Sequence, residues 1–115
     1  MKNTYFKKVQ RAVNRSIHKV NRQIRNDHLF KGRFVMRQVS NYTYRYPDNS
    51  GYSYDVIVEV RDLKTGLSTI YQPIMVIYGF DNDGLSPLTE SKFYMYMNDF
   101  IVEKSGFWKE KRNNG

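Results

Sequence analysis

Apolar residues recur every three or four positions through the first quarter of the chain, at Phe6, Val9, Val13, Ile17, Val20 and Ile24. This spacing places them on one face of a cylinder, so it predicts an amphipathic helix over residues 1–27. Asn3 or Thr4 is the expected N-cap, because either side chain can accept a hydrogen bond from the first free backbone amides.

Between residues 33 and 78 the pattern changes to the alternation of β-strands. Its clearest part is a central strand in which Tyr54, Val56, Val58 and Val60 alternate with mostly polar residues;. Phe34 and Met36 share their parity with Tyr42, Tyr44 and Tyr46, so these five side chains are expected on one face. Turn-forming residues at 47–51 and 62–66 divide the segment into a three-stranded antiparallel meander, and Pro73 marks a bulge or an edge.

A second helix is predicted over residues 86–105. Ser86 or Thr89 can cap it, Pro87 is allowed in its first turn, and Ser105 with Gly106 ends it;. Its buried face consists of Phe93, Met97, Phe100 and Ile101, and residues 109–115 form a polar tail. The 115 residues therefore predict one α+β domain, a two-layer α-β-β-β-α sandwich whose sheet is covered by two helices;.

Charge is distributed very unevenly along this order of elements. The formal net charge is +8, yet nine basic residues face one acid in residues 1–31, and ten face ten in residues 32–115. Six cations recur at helical spacing, nearly opposite the apolar face of the first helix and over about 25 Å. We call them the basic face: Lys8, Arg11, Arg15, Lys19, Arg22 and Arg25. A solvated helix face usually carries acids as well, so this one is predicted to bind nucleic acid or an acidic protein.

Ten tyrosines dominate the aromatic content, and five of them flank one loop: Tyr42, Tyr44, Tyr46, Tyr52 and Tyr54. Exposed aromatic residues beside arginine can stack on single-stranded bases, but tyrosines on strands more often pack or contact another subunit. We therefore predict a protein interface at these five residues.

No catalytic constellation emerges. The chain has no cysteine, its two histidines are not spaced as ligands, and Asp55 and Glu59 are expected to form cross-strand ion pairs with Arg33, Arg37 or Arg45;. Residues 79–90 resemble a calcium loop at Asp81, Asp83, Gly84 and Glu90, but Gly79 replaces the first ligand, so a turn followed by a helix cap is preferred;. The sequence thus predicts a non-enzyme without cofactor or metal, and no apolar run is long enough to cross a membrane.

Two resemblances add to this interpretation. The order of helix, three strands and helix is similar to double-stranded-RNA-binding domains, although their second helix begins with a lysine cluster and this one begins with Ser86-Pro-Leu-Thr-Glu90. The chain also resembles small structural proteins of crAss-like and related tailed bacteriophages. That resemblance lies in residues 32–38 (Gly-Arg-Phe-Val-Met-Arg-Gln), 93–102 (Phe-Tyr-Met-Tyr-Met-Asn-Asp-Phe-Ile-Val) and 105–108 (Ser-Gly-Phe-Trp).

The phage resemblance implies a non-catalytic virion protein, of the capsid auxiliary or head–tail connector type. Its partners would be capsid or portal-region subunits and DNA within an oligomeric assembly, and it would lie in the host cytoplasm before assembly and in the virion afterwards. The alternative is a free nucleic-acid-binding protein with a regulatory role. If the chain is an enzyme, the alternative is a small basic ribonuclease of the toxin type. The sequence contains no recognisable set of catalytic residues for that reaction.

Overall fold

The computed structural model describes residues 2–48, 51–79 and 84–114. In chain order the elements are α1 (Lys2–Asn26), β1 (Phe34–Arg45), β2 (Tyr52–Asp62), β3 (Ser68–Ile70), β4 (Ile74–Met75), β5 (Tyr78–Gly79), β6 (Gly84–Leu85), α2 (Pro87–Asp99), a π-helical segment (Phe100–Lys104) and α3 (Phe107–Asn114). This order confirms the predicted α+β class, with a long helix, an antiparallel sheet and a C-terminal helix.

The sheet is built around β2. Strand β1 pairs with it antiparallel along one edge, and β3 and β4 pair with it along the other. Pro73 lies between β3 and β4, where its missing N–H cannot contribute to a ladder, so the predicted third strand is divided into two short pieces;. Strands β5 and β6 form a small separate hairpin.

A β-bulge in β1 changes which face its side chains occupy. Gln38 lies opposite Val58, but Ser40 lies opposite Ile57, so Val39 is an extra residue in the ladder;. Beyond the bulge, Tyr42 and Tyr44 therefore lie on the face opposite to Phe34 and Met36. The prediction that these side chains share one face was wrong, because one inserted residue reverses the alternation.

The core lies between the helices and one face of the sheet. Val56, Val58 and Val60 of β2 are fully buried beneath Val9, Val13 and Val20 of α1 and Phe93 and Met97 of α2. The apolar faces set by the 3.6-residue repeat of the helices and the two-residue repeat of the strand thus pack together in one layer. Among the described residues, no helix covers the opposite face of the sheet, which we call the outer face.

The helix boundaries differ from the prediction at both ends of the chain. Helix α1 begins at Lys2, so Asn3 and Thr4 both lie inside the helix and neither occupies the N-cap position. Residues 109–115 were expected to be a tail, but α3 extends to Asn114, with Phe107 buried at its start. Gly106 adopts a φ of 75°, which permits the sharp change of direction between the π-helical segment and α3;.

Candidate functional site

All six residues of the basic face are exposed on α1. The helix contains no aspartate or glutamate, and Val13, Ile17 and Val20 on its other side are buried. Because the apolar side is fixed in the core, the cations cannot turn inward without exposing it. The structure thus holds the predicted cations on one outward surface, together with the neighbouring Asn14 and His18, which are also exposed.

Polar contacts fix the orientation of α1 on the sheet. The Asn21 side chain donates to the carbonyl of Met36 and accepts from its N–H, both at 2.8 Å. It thereby pairs with the free edge of β1 much as another strand would. Nearer the helix N-terminus, Gln10 donates to Gln38 at 2.6 Å and accepts from the Tyr54 hydroxyl. Because these contacts lie at two separate points along α1, they prevent the helix from rotating about its own axis on the sheet.

One carboxylate borders the basic face. Glu90 of α2 accepts a hydrogen bond from Ser16 at 3.0 Å and forms an ion pair with Lys19 at 3.3 Å. A groove of about 290 Å³ lies between the two helices and is lined by Ala12, Arg15, Ser16, Lys19, Gly84, Leu85 and Glu90. Glu90 therefore reduces the positive potential at one margin of the face and docks α1 against α2.

Outside α1, carboxylates pair with most of the cations that the sheet presents. Arg37 contacts Glu59 at 2.8 Å, which confirms the expected cross-strand pairing, and this hydrogen bond lowers the pKa of Glu59 although its burial opposes the shift. Asp55 instead accepts from Ser53 at 2.6 Å. Because Glu59 is bound to Arg37 and Asp55 to Ser53, the two carboxylates do not form an acid–base pair.

The strongest cluster of charges was not foreseen. Arg33 donates to Asp62 at 2.9 and 2.8 Å and to Glu110 of α3 at 3.2 and 2.9 Å, and Lys64 contacts Glu110 at 2.7 Å. Hydrogen bonds from Arg33 and Lys64 lower the pKa of Glu110 to about 2. Burial raises the pKa of Asp62, but its hydrogen bonds outweigh that effect and leave the pKa lowered. No sequence signal links Glu110 to residues so distant in the chain.

The five predicted interface tyrosines are divided among different environments. Tyr42 and Tyr44 are 44 % and 51 % exposed on the outer face, Tyr52 is exposed, and Tyr46 is half-buried. Tyr54 is only 6 % exposed and stacks on Phe6 in the core, so it cannot belong to an interface and that assignment was wrong. It faces α1 because its position in β2 has the same parity as Val56 and Val58.

The calcium-like segment falls partly outside the described residues, which exclude Asp81 and Asp83. At its far end Ser86 accepts a hydrogen bond from the Thr89 N–H and caps α2, as the preferred interpretation required. Among the residues that the structure describes, no three histidines or acids are grouped to hold a metal ion. His18 and His28 lie apart, each exposed.

Over the same described ranges, no helix has both the length and the apolar character to cross a bilayer. Comparison of the chain with protein families, with curated proteins and with solved structures gave no match. The resemblance to tailed-phage proteins, and the virion location that it implies, therefore stay predictions.

Proposed function

We propose that this protein binds the phosphate backbone of nucleic acid through the basic face of α1 and carries out no catalytic step. The observation that supports this most directly is the exposure of six aligned cations on a helix without acids, whose opposite side is anchored in the core. Lysine and arginine on such a surface displace condensed counterions from a polyanion, which provides sequence-independent affinity.

The basic face is also costly to the free protein. Its cations form five successive pairs three or four residues apart, from Lys8–Arg11 to Arg22–Arg25. Like charges at these spacings destabilise a helix by about 0.2–0.5 kcal/mol per pair, so together they cost on the order of 1–2 kcal/mol at low salt. A bound polyanion relieves this repulsion, whereas a solvated surface would be more stable with acids interspersed.

The composition of the surface favours phosphate over an acidic protein. None of the large exposed hydrophobic residues lies in α1 among the residues described; the nearest in sequence is Leu29. Stable protein interfaces are centred on buried aromatic or aliphatic residues, which this face does not offer. Phosphate contacts need only positioned cations and polar groups, and Asn14 and His18 supply the latter.

The test is the salt dependence of binding to a fluorescent duplex of about 20 base pairs, measured by anisotropy. The log of the affinity should fall against the log of the salt concentration with a slope of about −0.9 per phosphate contacted. The variant R11Q/R15Q/R22Q should reduce that slope by up to about 2.7. Lys19 is kept, since it helps to dock α2.

The matched control is K104Q/K109Q/R112Q, which removes the same charge at exposed positions near the C-terminus. It should bind almost as the natural chain does. Equal losses in the two variants would mean that net charge alone drives binding, and unchanged binding by the α1 variant would remove the basic face from the interface. If only acidic polypeptides competed for the face, the partner would be a protein.

A further inference from the structure

The second half of β1 leaves an unpaired edge of the sheet. The Val76 N–H donates to the carbonyl of Tyr54, which shows that the backbone of Tyr54 points toward β4. Its partner across the ladder, Thr43, must therefore direct its own N–H and C=O away from β2;. The same alternation applies two residues to either side, at Asn41 and Arg45.

This edge is accessible over a short, defined length. Residues 41–45 are all exposed, and within the described chain no hydrogen bond reaches the outward backbone groups of Asn41, Thr43 or Arg45. On one side the bulge at Val39 ends the regular strand, and Asn21 already occupies the edge at Met36. Residues 41–45 contain neither lysine nor proline, two of the usual means of blocking an edge strand, and their one charged residue, Arg45, lies at the end of the strand;.

We propose that a second copy of this chain pairs with this edge, antiparallel and about a two-fold axis at Thr43. In that register Thr43 lies opposite Thr43 of the second copy, and Asn41 lies opposite its Arg45. Each of these three pairs can exchange two backbone hydrogen bonds, so the junction contains six. The two sheets become one continuous sheet.

The side chains of the segment complement themselves in this register, which favours a second copy over an unrelated strand. On the outer face each Tyr42 lies opposite a Tyr44, and both are exposed in the single chain. On the helix-covered face the two threonines meet, and each Arg45 faces an asparagine instead of the other arginine. Aromatic and Thr–Thr cross-strand pairs are stabilising, and no like charges lie directly opposite.

The symmetry has a consequence for the basic face. A two-fold axis perpendicular to the sheet keeps both α1 helices on the same side of the joined sheet. Two basic faces then point in one direction, which would double the number of phosphates contacted by one particle. This consequence rests on the proposed nucleic-acid binding, whereas the dimer itself does not.

The experiment is sedimentation velocity without nucleic acid, at protein concentrations up to on the order of 100 µM, because so small an interface is expected to be weak. Thr43→Lys and Thr43→Glu each place like charges opposite one another at the axis, and each should raise the dimer Kd at least about tenfold because like charges juxtaposed across an interface strongly oppose association. An equimolar mixture should restore dimerisation, since Lys then faces Glu. The matched control Thr43→Val keeps the backbone hydrogen bonds and loses only the Thr–Thr contact, so its dimer Kd should stay within about threefold of that of the natural chain.

A natural chain that stays monomeric over this range would overturn the proposal, as would single variants that dimerise normally or a mixture that gains nothing over them. The first result would leave the edge to a strand of another protein, and the last two would place the contact between copies elsewhere in the fold. Salt separates this inference from the proposed function. Screening should strengthen the association of two copies that each carry +8, but it should weaken binding to a polyanion;.

Discussion

Replacing Arg33, which directly precedes β1, with methionine should destabilise the fold more than replacing any exposed cation of the sheet. Asp62 is fully buried, and Arg33 is only 11 % exposed while donating to both of its carboxylate oxygens. The variant leaves Asp62 with its hydrogen bond from the Lys64 N–H at 2.9 Å and without a counter-charge. Methionine is chosen because it can still pack between the rings of Phe34 and Phe107, over which the guanidinium lies;.

The expected size follows from that burial. Removing one partner of a buried ion pair costs about 3–5 kcal/mol, because the remaining charge is neither hydrated nor neutralised. Against a total stability of about 5–15 kcal/mol, this loss should lower the melting temperature by roughly 10–20 °C. Urea denaturation at 25 °C, followed by circular dichroism, measures the free energy of unfolding directly.

Two further variants make the measurement decisive. Arg61→Met is the matched control, since Arg61 is 47 % exposed and lies 3.9 Å from its acid, so its loss should stay within about 0.5 kcal/mol;. In the background of Arg33→Met, Asp62→Asn should recover part of the loss because it removes the uncompensated charge. Equal stabilities for the Arg33 and Arg61 variants would refute the reasoning.

Two more predictions concern α3 and α1. The pKa of Glu110 lies at about 2 in the fold, below its ordinary value of 4.5, so its contribution to stability is complete above pH 4.5 and is lost as pH falls toward 2;. Between pH 4.5 and 2 the melting temperature should therefore fall more steeply for the natural chain than for Glu110→Gln;. Parallel curves of melting temperature against pH would contradict this prediction. Asn21→Ala should cost about 1–3 kcal/mol and accelerate hydrogen exchange at the Met36 amide, because both backbone bonds at the edge of β1 are lost. Asn98→Ala, at an exposed position of α2, is the control, and equal exchange at Met36 in both variants would show that the Asn21 bonds contribute nothing.

The elements with local patterns could be predicted directly from the order of the amino acids. The spacing of Val9, Val13, Ile17 and Val20 fixed both the buried side of α1 and the outward direction of its cations, since one rigid helix sets both. Alternation likewise identified β2, and Pro73 marked the break in the third strand. Each of these patterns depends only on residues within one element, so it does not change with the way the rest of the chain packs.

Features that depend on how the elements pack against one another could be seen only in the folded chain. The bulge at Val39 moved Tyr42 and Tyr44 to the outer face, because one extra residue opposite β2 reverses every later side chain without any mark in the sequence. The pairing of Arg33 with Glu110 joins residues far apart in the chain, and periodicity carries no information about such distances. The free edge at Thr43 arises in the same way, from the register of β1 on β2 and from the course of α1 across it.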